Sequence, residues 1–253
     1  MTNVTRGGFH DHFSAVAGDY ARHRPTYPAA LFDWLAGLPA ERRHAWDCGT
    51  GSGQAARELA VRFERVTATD ASREQLAGAA PRPNVDYRLA QAEQSGLVDA
   101  SVDLVTVAQA VHWFDLERFW PEVRRVLAPG GAVAVWSYEL FTITPEVDAV
   151  VRRLYRDVVG AWWPAERKIV ETGYRDLWFP FDEAAAPQFE MTAQWDLGRV
   201  EGYLRTWSAS KRWAEAHGGR DPVGEIAGGL AAAWGGRGEP RRVSWPLAVR
   251  AGR

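Results

Sequence analysis

The stretch AWDCGTGSG at residues 45–53 decides the expected fold. Its first four residues predict a short buried strand, and Gly49 to Gly53 predict a tight loop that leads into a helix over residues 54–62. Glycine permits tight turns and lets a ligand lie close to the main chain. Because ligands of open α/β sheets bind beyond the carboxyl ends of the strands, this loop is a candidate binding site.

Strands and helices continue to alternate downstream of this loop, which predicts a doubly wound parallel sheet. Two later strands are expected to join the same sheet, with the intervening helices and the N-terminal segment over its carboxyl edge. The further strands are predicted over residues 66–69, 85–89, 102–108, 132–137, 189–195 and 242–249. The further helices are predicted over residues 25–38, 73–80, 119–127, 146–159, 164–172, 200–216 and 222–234.

The pattern predicts an α/β, Rossmann-like fold with a seven-stranded, mostly parallel sheet and a helical cap. We expect one domain over residues 1–253, because the chain is too short for two full-sized domains. The core is expected at about residues 36–139, 187–197 and 241–253, and the cap at about residues 1–35, 140–186 and 198–240.

Composition excludes several classes of protein. A formal net charge of -2 gives no overall positive field for nucleic acid or anionic lipid. The single cysteine, Cys48, excludes an internal disulfide and a cysteine-rich zinc site, and no metal-ligand spacing is visible. The start of the chain lacks the apolar region of a secretory signal, and no run is long enough to span a membrane. We therefore expect a cytoplasmic protein.

The glycine spacing points to a nucleoside ligand. The loop reads G-x-G-x-G, whereas the dinucleotide fingerprint is G-x-G-x-x-G and a P-loop needs a following Lys-Ser/Thr. Asp70 follows the next strand, about twenty residues downstream, where an acid can accept both ribose hydroxyls. The alternative is that Asp70 caps the helix from Arg73, a role that Ser72 could fill instead.

Five motifs in order resemble the class I S-adenosylmethionine methyltransferases, most clearly over residues 46–138. They are DCGTGSG at residues 47–53, Asp70, LAQAE at 89–93, QAVHWF at 109–114 and RVLAPGG at 125–131. Phe13 and YARHRPTYP at residues 20–28, with YLRTWS at 203–208, resemble the methyltransferase type 11 subgroup that includes trans-aconitate methyltransferase-like proteins.

This resemblance implies S-adenosyl-L-methionine as the cofactor and a set of residues that would hold it. Residues 91–93 would border adenine, although many members have Asp where this chain has Gln91, and residues 109–110 would lie beside the methionine half. Tyr20 and Arg24 could close over the cofactor, or merely cap a helix. The implied cofactor-binding residues are Tyr20, Arg24, Asp47, Gly49, Thr50, Gly51, Asp70, Ala71, Gln91, Ala92, Glu93, Gln109 and Ala110.

His112 is the candidate general base, since it follows the fourth strand and its ordinary pKa suits base chemistry near neutral pH. It could instead only shape the loop. Trp113, Trp207 and Arg205 are the candidate substrate-binding residues, although tryptophans can simply pack and helix cations commonly face solvent. The chain has thirteen tryptophans, which would suit an aromatic pocket or an aromatic-rich cap.

We expect O-methylation of a small organic acceptor, with no nucleic-acid or membrane partner and no prediction of oligomeric state. A carboxylate acceptor, to which the subgroup resemblance points, needs no base at neutral pH. A hydroxyl acceptor would need one, and its rate should then fall as His112 protonates near pH 6.5. A protein of the same fold that binds the cofactor without transferring methyl, cyclase-like or regulatory, would show the same motifs. The glycine spacing disfavours a nicotinamide-dependent oxidoreductase.

Overall fold

The computed structural model describes residues 25–253. The strands among these residues are β1 (His44–Cys48), β2 (Arg65–Asp70), β3 (Val85–Leu89), β4 (Val102–Ala108), β5 (Leu127–Tyr138), β6 (Glu183–Ala184), β7 (Phe189–Trp195) and β8 (Arg241–Gly252). The α-helices are α1 (Ala29–Ala36), α2 (Gln54–Leu59), α3 (Arg73–Ala77), α4 (Leu116–Val126), α5 (Pro145–Arg153), α6 (Arg167–Glu171), α7 (Leu197–Arg205), α8 (Ser208–Ala216) and α9 (Ala227–Trp234). Short 3-10 turns cover Val111–Trp113, Gly160–Trp162 and Pro222–Glu225, and a π turn covers Leu154–Val158.

The strands form one sheet in the order β3-β2-β1-β4-β5-β8-β6, with β7 also paired to β8. Strands β1 to β5 are parallel, and β8 runs antiparallel to its three neighbours. The α/β fold and the seven expected strands are confirmed, and the two-residue β6 is an eighth. The chain reverses its direction of winding between β1 and β4, so the loop after β1 lies at the switch point of the sheet.

Both faces of the central strands β1 and β4 are buried, as expected for parallel strands covered by helices. On β5, Ala134 and Trp136 pack into one apolar cluster, while Val133 and Val135 pack into the cluster on the opposite face. No helix within residues 25–253 is long and apolar enough to cross a membrane.

Helix α1 lies on the sheet, although the sequence analysis placed residues 1–35 in the cap. Phe32 meets Trp136 of β5 edge to face, with ring centroids 6.1 Å apart, and Asp33 forms an ion pair of 2.8 Å with Arg62. The helix begins at Ala29, not at Pro25. Tyr27 precedes Pro28, and the residue before a proline disfavours helical backbone, so the helix starts only after Pro28.

The single helix expected over residues 200–216 is two helices, α7 and α8. Two hydroxyls accommodate the break, since Thr206 Oγ1 donates to the Tyr203 carbonyl at 2.6 Å and Ser210 Oγ donates to the Leu204 carbonyl at 2.8 Å. Each hydroxyl is a second donor to its carbonyl, since the Tyr203 and Leu204 carbonyls also accept from the backbone N–H groups of Thr206 and Trp207. Trp207 adopts an extended backbone between the two helices.

A buried carboxylate fixes the start of β1. Asp103 of β4 accepts from the backbone N–H groups of Arg43, at 2.8 Å, and His44, at 2.9 Å, and only 4 % of Asp103 is exposed. Backbone donors that are buried without a partner are costly, so this carboxylate stabilises the pairing of the two central strands.

We expect Asp103→Ala to lower the free energy of unfolding by about 1.5–3 kcal/mol, because hydrogen bonds to a charged acceptor are lost. Asp103→Asn keeps an acceptor oxygen and should lose clearly less. Chemical denaturation of both variants measures the difference. Equal stability of the alanine variant and the wild type would show that the carboxylate does not anchor β1.

Candidate functional site

A buried carboxylate organises the loop after β1. Asp47 is fully buried, and its two oxygens accept from the hydroxyls of Thr50, at 2.6 Å, and Thr106 of β4, at 2.9 Å. Burial raises the pKa of Asp47 to about 6, while the two hydroxyl hydrogen bonds act in the opposite direction. Asp47 and Thr50 were expected to bind the cofactor, but their side chains are turned into the protein and shape the loop.

Two of the three glycines of the loop, Gly49 and Gly51, differ in what surrounds them. A Cβ on Gly49 would lie 2.7 Å from Cβ of Ala110, so the loops after β1 and β4 pack in direct contact there. Among residues 25–253, a Cβ on Gly51 would have one neighbour within 4 Å, a side-chain oxygen of Gln75 at 3.7 Å. Gly51 has φ +55°, which favours glycine. Within the described part of the chain, the loop is therefore less crowded at Gly51 than at Gly49.

Asp70 closes the loop from the end of β2. One carboxylate oxygen accepts from the Gly51 N–H and the other from the Ser72 N–H, both at 2.8 Å. Ser72, not Asp70, caps α3, because its hydroxyl accepts from the Gln75 N–H at 3.3 Å. A carboxylate offers about four acceptor positions, so these two bonds are compatible with further bonds to ligand hydroxyls.

The other predicted cofactor residues line the same edge of the sheet. Ala71 is half-buried, Ala92 is buried and Gln91 is exposed. Glu93 accepts from the Asp115 N–H at 2.8 Å and so supports the start of α4. The Gln109 side chain donates to the Tyr138 carbonyl at 3.1 Å, and Gln109 has φ +57°, a strained value for a non-glycine residue. The predicted residues Tyr20 and Arg24 lie outside the described residues.

His112 lies in the turn after β4 and is largely buried. Its Nδ1 is 2.8 Å from the hydroxyl of Tyr174, and its ring lies 4.9 Å from that of Trp113. Burial, and then the charge of Arg167, lower the pKa of His112 to about 3. This corrects the expectation of a rate that falls near pH 6.5, since the ring stays neutral there. A group of such low pKa is also a poor general base at neutral pH.

Aromatic side chains of the cap surround a cation that the sequence analysis did not select. The guanidinium of Arg167 lies over the rings of Tyr155, at 5.5 Å, and Trp163, at 4.8 Å, and its Nε donates to the Tyr155 hydroxyl at 2.8 Å. The ring of the predicted Trp207 lies 5.6 Å from that of Trp163. We call the rings of Phe141, Tyr155, Trp163, Tyr203 and Trp207 the cap aromatic cluster.

Arg205, the predicted substrate-binding cation, lies elsewhere. It forms an ion pair of 2.9 Å with Asp221, and 46 % of its side chain is exposed. Its partner therefore comes from the residue just before the 3-10 turn Pro222–Glu225, and the structure does not place Arg205 with His112. Across residues 25–253 no group of three or more His, Cys, Asp or Glu side chains could hold a metal ion.

Comparisons with known proteins agree with this arrangement. A family profile described as a methyltransferase domain matches residues 46–135. A protein of Dictyostelium discoideum described as a methyltransferase is 35% identical over 222 residues, covering 86% of this chain and 84% of that protein. The chain belongs to the class I methyltransferase family. It has the fold, the glycine loop and the order of motifs that define that family's core.

Two further relatives show how far the similarity of this methyltransferase extends. A solved structure described as a type II methyltransferase from Anaeromyxobacter dehalogenans has 51% sequence identity and a TM-score of 0.86, and the match covers 91% of this chain and 97% of that one. A Mycobacterium tuberculosis methyltransferase is 44% identical over 127 residues, which is 49% of this chain and 51% of that protein. The methyltransferase therefore shares both core and cap with the first relative.

Acidification should destabilise the methyltransferase through His112. The pKa of this ring is about 3 in the folded protein and about 6.5 in the unfolded chain. Its contribution to stability is therefore complete above pH 6.5 and is lost as the pH falls toward 3, by about 2 kcal/mol at pH 5. Asp47 acts in the opposite direction, because its folded pKa is raised.

His112→Gln separates the contribution of His112 to the pH dependence of stability from that of Asp47. Asp47 and every other titrating group are common to the wild type and the variant. We expect the free energy of unfolding to fall more steeply from pH 7.5 to 5 in the wild type than in the variant, by about 2 kcal/mol. Urea denaturation at several pH values measures this difference. Parallel pH profiles would mean that His112 titrates normally in the folded protein.

Proposed function

We propose that this methyltransferase uses S-adenosyl-L-methionine to methylate an oxygen of a small organic acceptor. The observation that supports it best is the joint placement of Gly51 and Asp70 at the switch point of the sheet. An open space above a glycine loop suits a ligand that lies along the backbone. The carboxylate beside that space suits the two hydroxyls of a ribose.

The residues at this edge fit the parts of the cofactor. Asp70 would hold the ribose hydroxyls, and the small side chains of Ala71 and Ala92 would leave room for the flat adenine. The methionine half would lie toward Gly49 and Ala110, where the loops after β1 and β4 touch. This arrangement directs the reactive end toward His112 and the cap.

When bound, the cofactor supplies an electrophilic methyl group on a sulfonium. An acceptor oxygen forms the new O–CH₃ bond as the S–CH₃ bond breaks, and the electron pair of that bond stays on sulfur. The task of the protein is therefore mainly to position the acceptor in line, an effect worth up to about 7–11 kcal/mol. The cap aromatic cluster would exclude water from the reacting atoms, which strengthens the electrostatic interactions there.

A direct test incubates the purified protein with S-adenosyl-L-methionine and a panel of small carboxylic acids, phenols and alcohols. We expect S-adenosylhomocysteine and a methylated acceptor to appear together in equal amounts. Turnover only with a peptide or an oligonucleotide would contradict the small-molecule proposal. Tight binding of the cofactor without turnover of any acceptor class would indicate a binding protein.

Asp70→Ala should weaken cofactor binding by about 10- to 150-fold, because two hydrogen bonds to a charged acceptor are lost. Isothermal titration calorimetry with S-adenosyl-L-methionine measures the affinity, and circular dichroism checks that the variant is folded. Unchanged affinity in a folded variant would remove Asp70 from the binding site.

Gly51→Val should abolish measurable cofactor binding while the protein remains folded, because the side chain would occupy the space above the loop. Gly218→Val is a matched control, since Gly218 also has positive φ, at +66°, and, its chain neighbours apart, no atom of residues 25–253 within 4 Å of where a Cβ would lie, but lies after α8. Both variants carry a similar backbone cost, of about 1 kcal/mol or more. Normal binding by Gly51→Val would show that the loop is only a turn.

A further inference from the structure

The hydroxyl of Tyr174 determines which ring nitrogen of His112 carries the proton. Tyr174 is fully buried, and burial raises its pKa well above the ordinary value, so the phenol keeps its proton. Within the part of the chain that the structure describes, the hydroxyl has one hydrogen-bond partner, Nδ1 of His112 at 2.8 Å. A buried O–H that donates to nothing is costly, which favours donation to this nitrogen.

This donation fixes the state of the imidazole. The ring of His112 is neutral at physiological pH and carries a single N–H. Because Nδ1 accepts from Tyr174, the proton must be on Nε2. A protonated Nε2 can donate a hydrogen bond to an acceptor oxygen, but it has no lone pair with which to remove a proton.

The second observation is the unusual environment of Arg167. Its charge is close enough to lower the pKa of His112, and its guanidinium is held over two rings of the cap aromatic cluster. Among residues 25–253 it forms no ion pair, and it is linked to the carboxylate of Glu171 only through the hydroxyl of Tyr155. A half-buried guanidinium without a carboxylate partner is suited to a ligand anion.

We propose that Tyr174 holds His112 as a hydrogen-bond donor, and that His112 and Arg167 together orient an acceptor whose reacting group is a carboxylate. This inference rests on the proposed function. The carboxylate is already ionised, so methylation releases no proton and needs no base. A hydroxyl acceptor would have to lose a proton, and neither Nε2–H nor Arg167 can take it. Tyr174 is a positioning residue, and its φ of +61° shows that the surrounding structure constrains it.

The protonation of the two ring nitrogens of His112 can be tested without measuring enzyme turnover. Nitrogen NMR of the ¹⁵N-histidine-labelled full chain at pH 7 distinguishes protonated from unprotonated ring nitrogens, and the spectrum of His112→Gln assigns the signals. We expect Nε2 of His112 to be protonated and Nδ1 to be a hydrogen-bonded acceptor. Tyr174→Phe should release this preference, whereas Tyr203→Phe, which removes a hydroxyl elsewhere in the cap, should not. A proton on Nδ1 in the wild type would overturn the proposal.

The acceptor class is tested by S-adenosylhomocysteine release with a panel of small carboxylic acids and the corresponding primary alcohols. Release with the acids alone supports the proposal. Release with the alcohols alone, or with neither class by a protein that binds the cofactor, contradicts it. A protein that does not bind the cofactor at all would instead contradict the proposed function, while the NMR result would stand.

Variants of His112 distinguish a hydrogen-bond donor from a general base, and variants of Arg167 test its part in acceptor binding. With the best acid, His112→Ala should lower kcat/KM by about 10- to 150-fold, and His112→Gln, which restores an N–H donor, should recover part of the loss. A base would leave glutamine as poor as alanine, with a loss of about 10²–10⁴-fold. Arg167→Gln should raise KM for acids, and Arg167→Lys, which keeps the charge, should raise it less. Equal KM values in the wild type and Arg167→Gln would remove Arg167 from acceptor binding.

Discussion

The buried carboxylate of Asp47 is the interaction on which the site depends. It accepts from Thr50 in the loop and from Thr106 in the neighbouring strand, and so joins the end of β1, the glycine loop and β4. Burial opposes its ionisation, and the two hydroxyls offset that cost. With the loop held in this way, Gly51 reaches Asp70 and Gly49 packs against Ala110. These contacts leave Gly51 uncrowded by the other residues of the range 25–253.

The grouping of the proposed cofactor-binding residues was predictable because they follow successive strands. Parallel strands bring their carboxyl ends to one edge, so Gly51, Asp70 and His112 had to come together whatever the details of packing. The sequence could not show that the side chain of Asp47 turns inward, and it left open whether Asp70 or Ser72 caps α3. Both depend on hydrogen bonds between side chains and backbone that pattern alone does not specify.

The grouping of the proposed acceptor-binding residues was only partly predictable. Arg167 begins α6 and Tyr174 follows that helix, both more than fifty residues from His112 in the chain, and only the fold brings them near it. Arg205 looked equally suitable on its helix, but Asp221 pairs with it. A tryptophan-rich sequence indicated an aromatic cap without indicating which rings surround a cation. The family profile likewise ends at residue 135, before the cap begins.

The central claim is that one carboxylate, Asp70, both closes the glycine loop and holds the cofactor. A crystal structure of the protein with S-adenosylhomocysteine tests it most directly. The account predicts both ribose hydroxyls within hydrogen-bond distance of the Asp70 carboxylate, while its bond to the Gly51 N–H is kept. A ligand bound away from this carboxylate, or an Asp70 that contacts only the protein, would contradict the account.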